Sequence, residues 1–133
     1  MSVGTMVEDA AALCGGCPVY SDVQGNPTEA NVMGGVAAFK EHGCDGVIAF
    51  GGGSAMDAAK CVALMVGQTR PLFDFEDRED WCTRVDEKGM VPCVAVPTTS
   101  GTGSEVGRAS ARPSASRASL SFPSVRRGAS PPR

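Results

Sequence analysis

Histidine is nearly absent from this chain of 133 residues: His42 is the only one. No metal site built on several imidazoles can therefore be assembled from it. Cysteine occurs six times, but not in a pattern that makes a framework. Cys14 and Cys17, in CGGC, have metal or redox spacing, yet no second C-x-x-C follows, and a zinc site needs a further pair of ligands. The thiols at 14, 17, 44, 61, 82 and 93 are scattered, and several fall inside apolar patterns, where reduced cysteine acts as a small hydrophobe. Buried or half-buried free thiols are the expectation. Long apolar runs are also missing: CVALMV, after Lys60, falls far short of a bilayer's thickness. The N-terminal MSVGTMVEDA has no basic region followed by an apolar stretch, so no secretory leader is apparent. A cytoplasmic protein without a membrane partner is the expectation.

What is present suits a single domain with a modest core. Hydrophobic residues make up 42% and charged residues 20%, ordinary values for a globular chain. The net charge of −3 hides an asymmetry. Residues 1–107 carry six Lys/Arg against all fifteen Asp/Glu, a balance of −9, whereas residues 108–133 carry six Arg and no acid, a balance of +6. Two such compositions in one short chain need separate accounts.

The segment MVEDAAAL (6–13) favours helix, and the glycines of CGGC end it. PVYSDV (18–23) reads as a strand, broken by QGNP. Thr28 can cap a helix through EANVMGGVAAFKEHG, with Val32, Val36 and Phe39 on one stripe and Gly43 as the stop. DGVIAF (45–50) has the character of a strand buried on both faces. After three glycines, Ser54 with Asp57 three residues on resembles a capping box with Asp in place of Glu. Ala55, Ala58, Ala59, Val62, Ala63 and Val66 then follow helical spacing up to Gly67. Residues 69–90 read as an acidic loop with a short helix, and VPCVAV (91–96) as a further buried strand stopped by Pro97. Strand, helix, strand, helix, strand is the rhythm of an α/β domain with a parallel sheet.

The glycines in FGGGSAMDAAK (50–60) lie where a buried strand meets a helix. First-turn N–H groups have no partner within the helix, the helix dipole makes that end positive, and glycine lets an anion approach the backbone. Ser54 adds a hydroxyl. A phosphate is the natural guest, and a tight turn that binds nothing is the plainer alternative. The motif is neither G-x-G-x-x-G nor G-x-x-x-x-G-K-[ST]. A second stretch, VAVPTTSGTGSEVG (94–107), follows the other strand and carries Thr98, Thr99, Ser100, Thr102 and Ser104 among glycines. Neighbouring parallel strands present their C-terminal ends on one edge, where ligands of open α/β sheets bind. Hydroxyls there can meet ribose or phosphate oxygens without adding negative charge.

Three blocks, NPTEANV (26–32), GGGSAMDAAK (51–60) and PTTSGTGSEV (97–106), resemble the iron-containing (group III) alcohol dehydrogenase family in sequence, order and spacing, over roughly residues 5–110. The resemblance implies a Rossmann-like N-terminal domain binding NAD or NADP. Gly52, Gly53 and Ser54 would lie on the pyrophosphate, with Asp57 in the same loop-helix. Thr98, Thr99 and Thr102 would line the cofactor, and Asn26 would lie near it. Asp57 reads equally as a helix cap, and Lys60, at the position of a family lysine, equally as a solvated or ion-paired residue. Gly25 stands where the family usually has proline, which leaves that turn less rigid.

The resemblance also implies parts this sequence does not show. The family's first βαβ segment is not matched, nor is the helical domain whose Asp and three His bind iron or another divalent metal. That metal polarises the alcohol or carbonyl oxygen. His42 fits a surface or core residue better than a ligand, and no metal ligand or catalytic residue is assigned. The expected architecture is an incomplete Rossmann-like parallel sheet with flanking helices over residues 1–107. A basic tail rich in Arg, Ser, Ala and Pro follows over 108–133, too poor in apolar residues to fold. The tail could be a nucleic-acid arm, but no folded nucleic-acid motif accompanies it. Its composition, abrupt from about Ser110, matches GC-rich coding DNA read out of frame. The implied function is hydride transfer between an alcohol or aldehyde and NAD(P), with this chain inactive by itself. A non-catalytic nucleotide-binding or interaction module is the alternative, with oligomerisation through exposed sheet edges.

Overall fold

The computed structural model describes residues 3–75 and 81–107. The expectations for the tail at 108–133 lie outside the described residues. Within them, helices α1 (Val3–Leu13), α2 (Glu29–Glu41) and α3 (Gly53–Met65) accompany strands β1 (Val47–Gly51) and β2 (Cys93–Pro97). The strands pair in parallel, from Val47 opposite Cys93 to Gly51 opposite Pro97. Parallel neighbours need a long crossover, and its described residues contain α3 and three short 3-10 turns at Leu72–Phe75, Trp81–Arg84 and Glu87–Gly89. Within the described part of 69–90 these three turns stand where a loop with one short helix was expected. Among the described residues no helix is long and apolar enough to cross a membrane.

The start of α2 follows from its sequence. Thr28 has extended backbone, and its Oγ1 accepts from Asn31 N at 3.4 Å while Asn31 Oδ1 accepts from Thr28 N at 3.0 Å. This is a capping box with Asn in the role usually taken by Glu or Gln. Asn31 is buried, and its Nδ2 donates to the Asp22 carbonyl at 2.9 Å, so the amide is satisfied at both ends. At the other end α2 reaches its cap at His42, and Gly43 takes φ +61°. Two glycines inside α2 have a packing reason. A Cβ on Gly35 would lie 2.6 Å from Val62 Cγ2, and one on Gly34 would collide with the Tyr20 hydroxyl, which donates to Asn31 O at 2.9 Å.

The core gathers Val32 and Val36 of α2, Cys61, Val62, Leu64 and Met65 of α3, and Leu72 and Phe75 of the first 3-10 turn. The second half of α3 is buried from Cys61 through Met65, more completely than a single stripe would give. Its C-terminal end meets the segment before β2. Gly67 and Gly89 approach so closely that a Cβ on either would strike the other's backbone. Gln68 donates to Asp86 O at 2.8 Å and accepts from Asp86 N at 3.0 Å.

Three expectations need correction. Residues 18–23 form no strand; their backbone joins no ladder, and Tyr20 packs by its side chain on α2 instead, so β-favouring residues remain an extended connector. The strands are not buried on both faces, since Ile48, Val94 and Val96 are exposed: α3 is the helix with the main contacts to both strands, and the opposite face has less cover. The thiols divide as well, with Cys61 buried, Cys17 and Cys44 half-buried, and Cys14 and Cys93 exposed.

Candidate nucleotide-binding site

The site begins with the sheet register. Gly51 opposite Pro97 is the last pair of the ladder, and Thr98 N extends it by donating to Gly51 O at 2.9 Å. Both strands therefore end at the same level, and the glycine loop and the hydroxyl-rich loop leave side by side. Gly51 turns the chain with φ +143°, in the region that favours glycine. A Cβ there would lie 2.8 Å from Ala55 Cβ.

The turn starts α3 earlier than its side chains suggest. Gly52, with extended backbone and no side-chain cap bond, is the N-cap, and the helix begins at Gly53. Ser54 and Asp57 therefore form no capping box: Ser54 already lies in the helix, and Asp57 is its fifth residue, past the first-turn N–H groups. The first intrahelical bond is Met56 N to Gly52 O at 3.1 Å. The N–H groups of Gly53, Ser54 and Ala55 precede the ladder, at the positive end of the helix dipole.

The second loop faces this end directly. A Cβ on Gly52 would lie 3.2 Å from Thr99 Oγ1, and one on Gly53 would lie 3.0 Å from Ser104 Oγ and 3.7 Å from Thr102 Cβ. Side chains at 52 or 53 would thus fill the space between the loops. A third segment joins them through Asn26, which holds φ +60° and donates its N–H to Ser54 Oγ at 3.4 Å. Asparagine tolerates that left-handed conformation better than most residues.

The structure thus brings Asn26, Gly52, Gly53, Ser54, Thr98, Thr99 and Thr102 together. Asp57 stands one turn further along α3, where its charge helps to raise the Cys61 thiol above its ordinary range after the larger effect of burial. Gly51 to Ser54, Thr98 and Thr99 also form one end of a half-open cavity of about 700 Å³. That cavity continues along β1 past Phe50 and Ile48 to Val7 and Ala11 of α1, with Tyr20, Gln24 and His42 also in its lining, so it is mainly apolar with a few polar groups, as small-molecule clefts usually are.

Two further contributors, Ser104 and Lys60, stand out in the sequence but are not among the residues that the resemblance places on the cofactor. Ser104, one of the hydroxyls that the sequence places in this loop, faces Gly53. Lys60 donates through Nζ to Ser104 O and, at 2.7 Å, to Gly107 O; a lysine seven residues after a loop glycine lies two helical turns along the same face. The CGGC segment takes no part in this end of the cavity. Cys17 Sγ donates to Cys14 O at 3.4 Å, and its titration is raised by burial and by the neighbouring Cys14, the reverse of what an activated thiol needs.

Comparison with known proteins places this geometry in a family. A family model described as iron-containing alcohol dehydrogenase matches residues 3–122. The chain is 44% identical over 90 residues to a 4-hydroxybutyrate dehydrogenase of Cupriavidus necator, covering 68% of this chain and 23% of that protein. Its fold matches the crystal structure of an iron-containing alcohol dehydrogenase from Thermotoga maritima with a TM-score of 0.71 and 30% identity, covering 92% of this chain and 34% of that one. It also matches a sulfoacetaldehyde reductase of Bifidobacterium kashiwanohense in complex with NAD+, with a TM-score of 0.67 and 26% identity, over 90% of this chain and 34% of that one. The chain therefore spans about a quarter to a third of the length of these proteins.

Proposed function

The chain belongs to the iron-containing alcohol dehydrogenase family, and on that premise we propose that it supplies the dinucleotide-holding part of an oxidoreductase. The reaction is hydride transfer between an alcohol or aldehyde and NAD or NADP. The observation that carries this reading is the approach of the hydroxyl loop to Gly52 and Gly53 at the common end of two parallel strands. The pyrophosphate sits on the N–H groups of Gly53, Ser54 and Ala55. The dipole contributes roughly 0.3–1 kcal/mol there, and more where the site is partly buried. Thr98, Thr99 and Thr102 donate hydroxyls to phosphate or ribose oxygens. Asn26 fixes Ser54 from the opposite side.

A bound nicotinamide supplies the ring that exchanges hydride; this chain's residues bind and orient the phosphates that anchor it. The described residues do not fit an iron site. Among those described, no three His, Cys, Asp or Glu side chains converge where a metal ion could sit, and the sequence has one histidine. No step through a metal is assigned to this chain, and the 133-residue protein by itself should turn over no alcohol. Measurable metal-dependent turnover by the pure chain would contradict that.

Fluorescence titration with NADH tests the binding reading. Saturable binding within about 1 mM cofactor is expected. Gly53→Val, whose side chain enters the space before Ser104, should weaken it by at least about tenfold. Absence of binding by the unaltered chain would refute the reading.

A further inference from the structure

We infer that Lys60 is a positioning residue of this site, holding the hydroxyl loop in register with the glycine loop. The inference rests on the dinucleotide-binding reading but concerns a residue that touches no part of the proposed ligand.

The argument starts from the face of α3. Gly53 and Lys60 are seven residues apart, two turns along one side of the helix. The loop after β2 runs over that side. At the Gly53 end it presents the Ser104 hydroxyl and Thr102; at the other end it presents the carbonyls of Ser104 and Gly107 to the Lys60 ammonium. Ser104 is engaged twice, by its side chain over Gly53 and by its backbone at Lys60. The loop has closed on itself there, since Gly107 N donates to Gly103 O at 2.9 Å and Val106 N to the same carbonyl at 3.2 Å. Such a turn leaves carbonyls without partners of its own. A lysine suits them, because its ammonium carries three donors on a flexible stem and accepts nothing in return.

Gly101 and Gly103 both hold positive φ, at +86° and +66°, so the loop between Thr98 and Ser104 depends on contacts at its ends. One end is the ladder bond from Thr98 to Gly51. The other is Lys60. With that second tie removed, Thr102 and Ser104 lose their fixed distance to Gly53.

The test compares the full chain with Lys60→Met, which keeps the stem and removes the donors, and Lys60→Arg, which restores charge and donors. Amide hydrogen exchange and NADH affinity are both read. In Lys60→Met the Val106 and Gly107 amides should exchange about tenfold faster, while Val66 in α3 is unchanged. NADH affinity should fall by a similar factor, and Lys60→Arg should recover part of both. Unchanged exchange at Val106 and Gly107 would overturn the inference, as would acceleration spread evenly over α3 and the core. Failure of the unaltered chain to bind NADH would instead overturn the dinucleotide reading, and the exchange comparison would still decide the role of Lys60 as a tether.

Discussion

Cys61 follows Lys60 directly in α3 but is wholly buried, in the same cluster as Val32, Val36 and Leu72. Burial, and secondarily the charge of Asp57, push its thiol far above the ordinary value of 9.0, with Lys60 pulling the other way. The consequence for stability has a definite sign. Below about pH 9 the thiol is protonated whether the chain is folded or not, and contributes nothing to pH dependence. Above that, the unfolded chain releases a proton that the folded chain retains, so stability falls by about 1.4 kcal/mol per pH unit from this group. Urea unfolding between pH 8 and pH 10 should show a decline that is shallower in Cys61→Ala. An equal decline in both would show that other groups govern the alkaline limb. The surroundings of single residues are the least legible part of a sequence. Cys61 and Cys93 both sit in apolar stretches, yet one is buried and the other exposed, because only packing tells them apart.

At the scale of elements, the sequence announces those whose signal is local. Thr28 three residues before Asn31 caps α2, and the β-favouring runs before the glycines and before Pro97 become β1 and β2. Residues 18–23 have the same propensity but no ladder, since strand formation depends on a neighbouring edge that propensity does not report. Likewise Ser54 and Asp57 have capping-box spacing, but the turn at Gly51 starts the helix at Gly53. The paired glycines 34 and 35, unfavourable in a helix, serve the approach of α2 to Tyr20 and α3. Gly35→Ala gains about 1 kcal/mol of helix propensity but forces a methyl to 2.6 Å from Val62 Cγ2, an overpacking that costs about 1–3 kcal/mol. Net destabilisation of up to about 2 kcal/mol is expected by urea unfolding. Gly25→Ala, with nothing within 4 Å of the added carbon, should be neutral. Equal stability of both variants would mean that the helices part without cost.

For the whole molecule, the convergence of the glycine and hydroxyl loops was the most legible part, because glycines, hydroxyls and a helix start after two β-favouring runs are all visible in the sequence. The uncovered sheet was less so: a run such as DGVIAF looks the same whether one face is covered or two. Ile48, Val94 and Val96 lie exposed on the two strands, and both strands have an outer edge unpaired within the described sheet. Such surfaces favour association. Light scattering should show concentration-dependent association of the pure chain, reduced by Ile48→Lys with Val94→Lys. A monomer at every concentration would contradict this. The reading of residues 108–133 as out-of-frame translation is tested separately, by sequencing the coding DNA through codon 110 and past the stop.

The most direct measurement of the central claim is an amide NMR titration of the full chain with NAD+. The account expects saturable shifts at Gly53, Ser54 and Thr99, with Lys88 in the last 3-10 turn, outside the cavity, unmoved. Shifts absent from the two loops, or confined to α1, would contradict it.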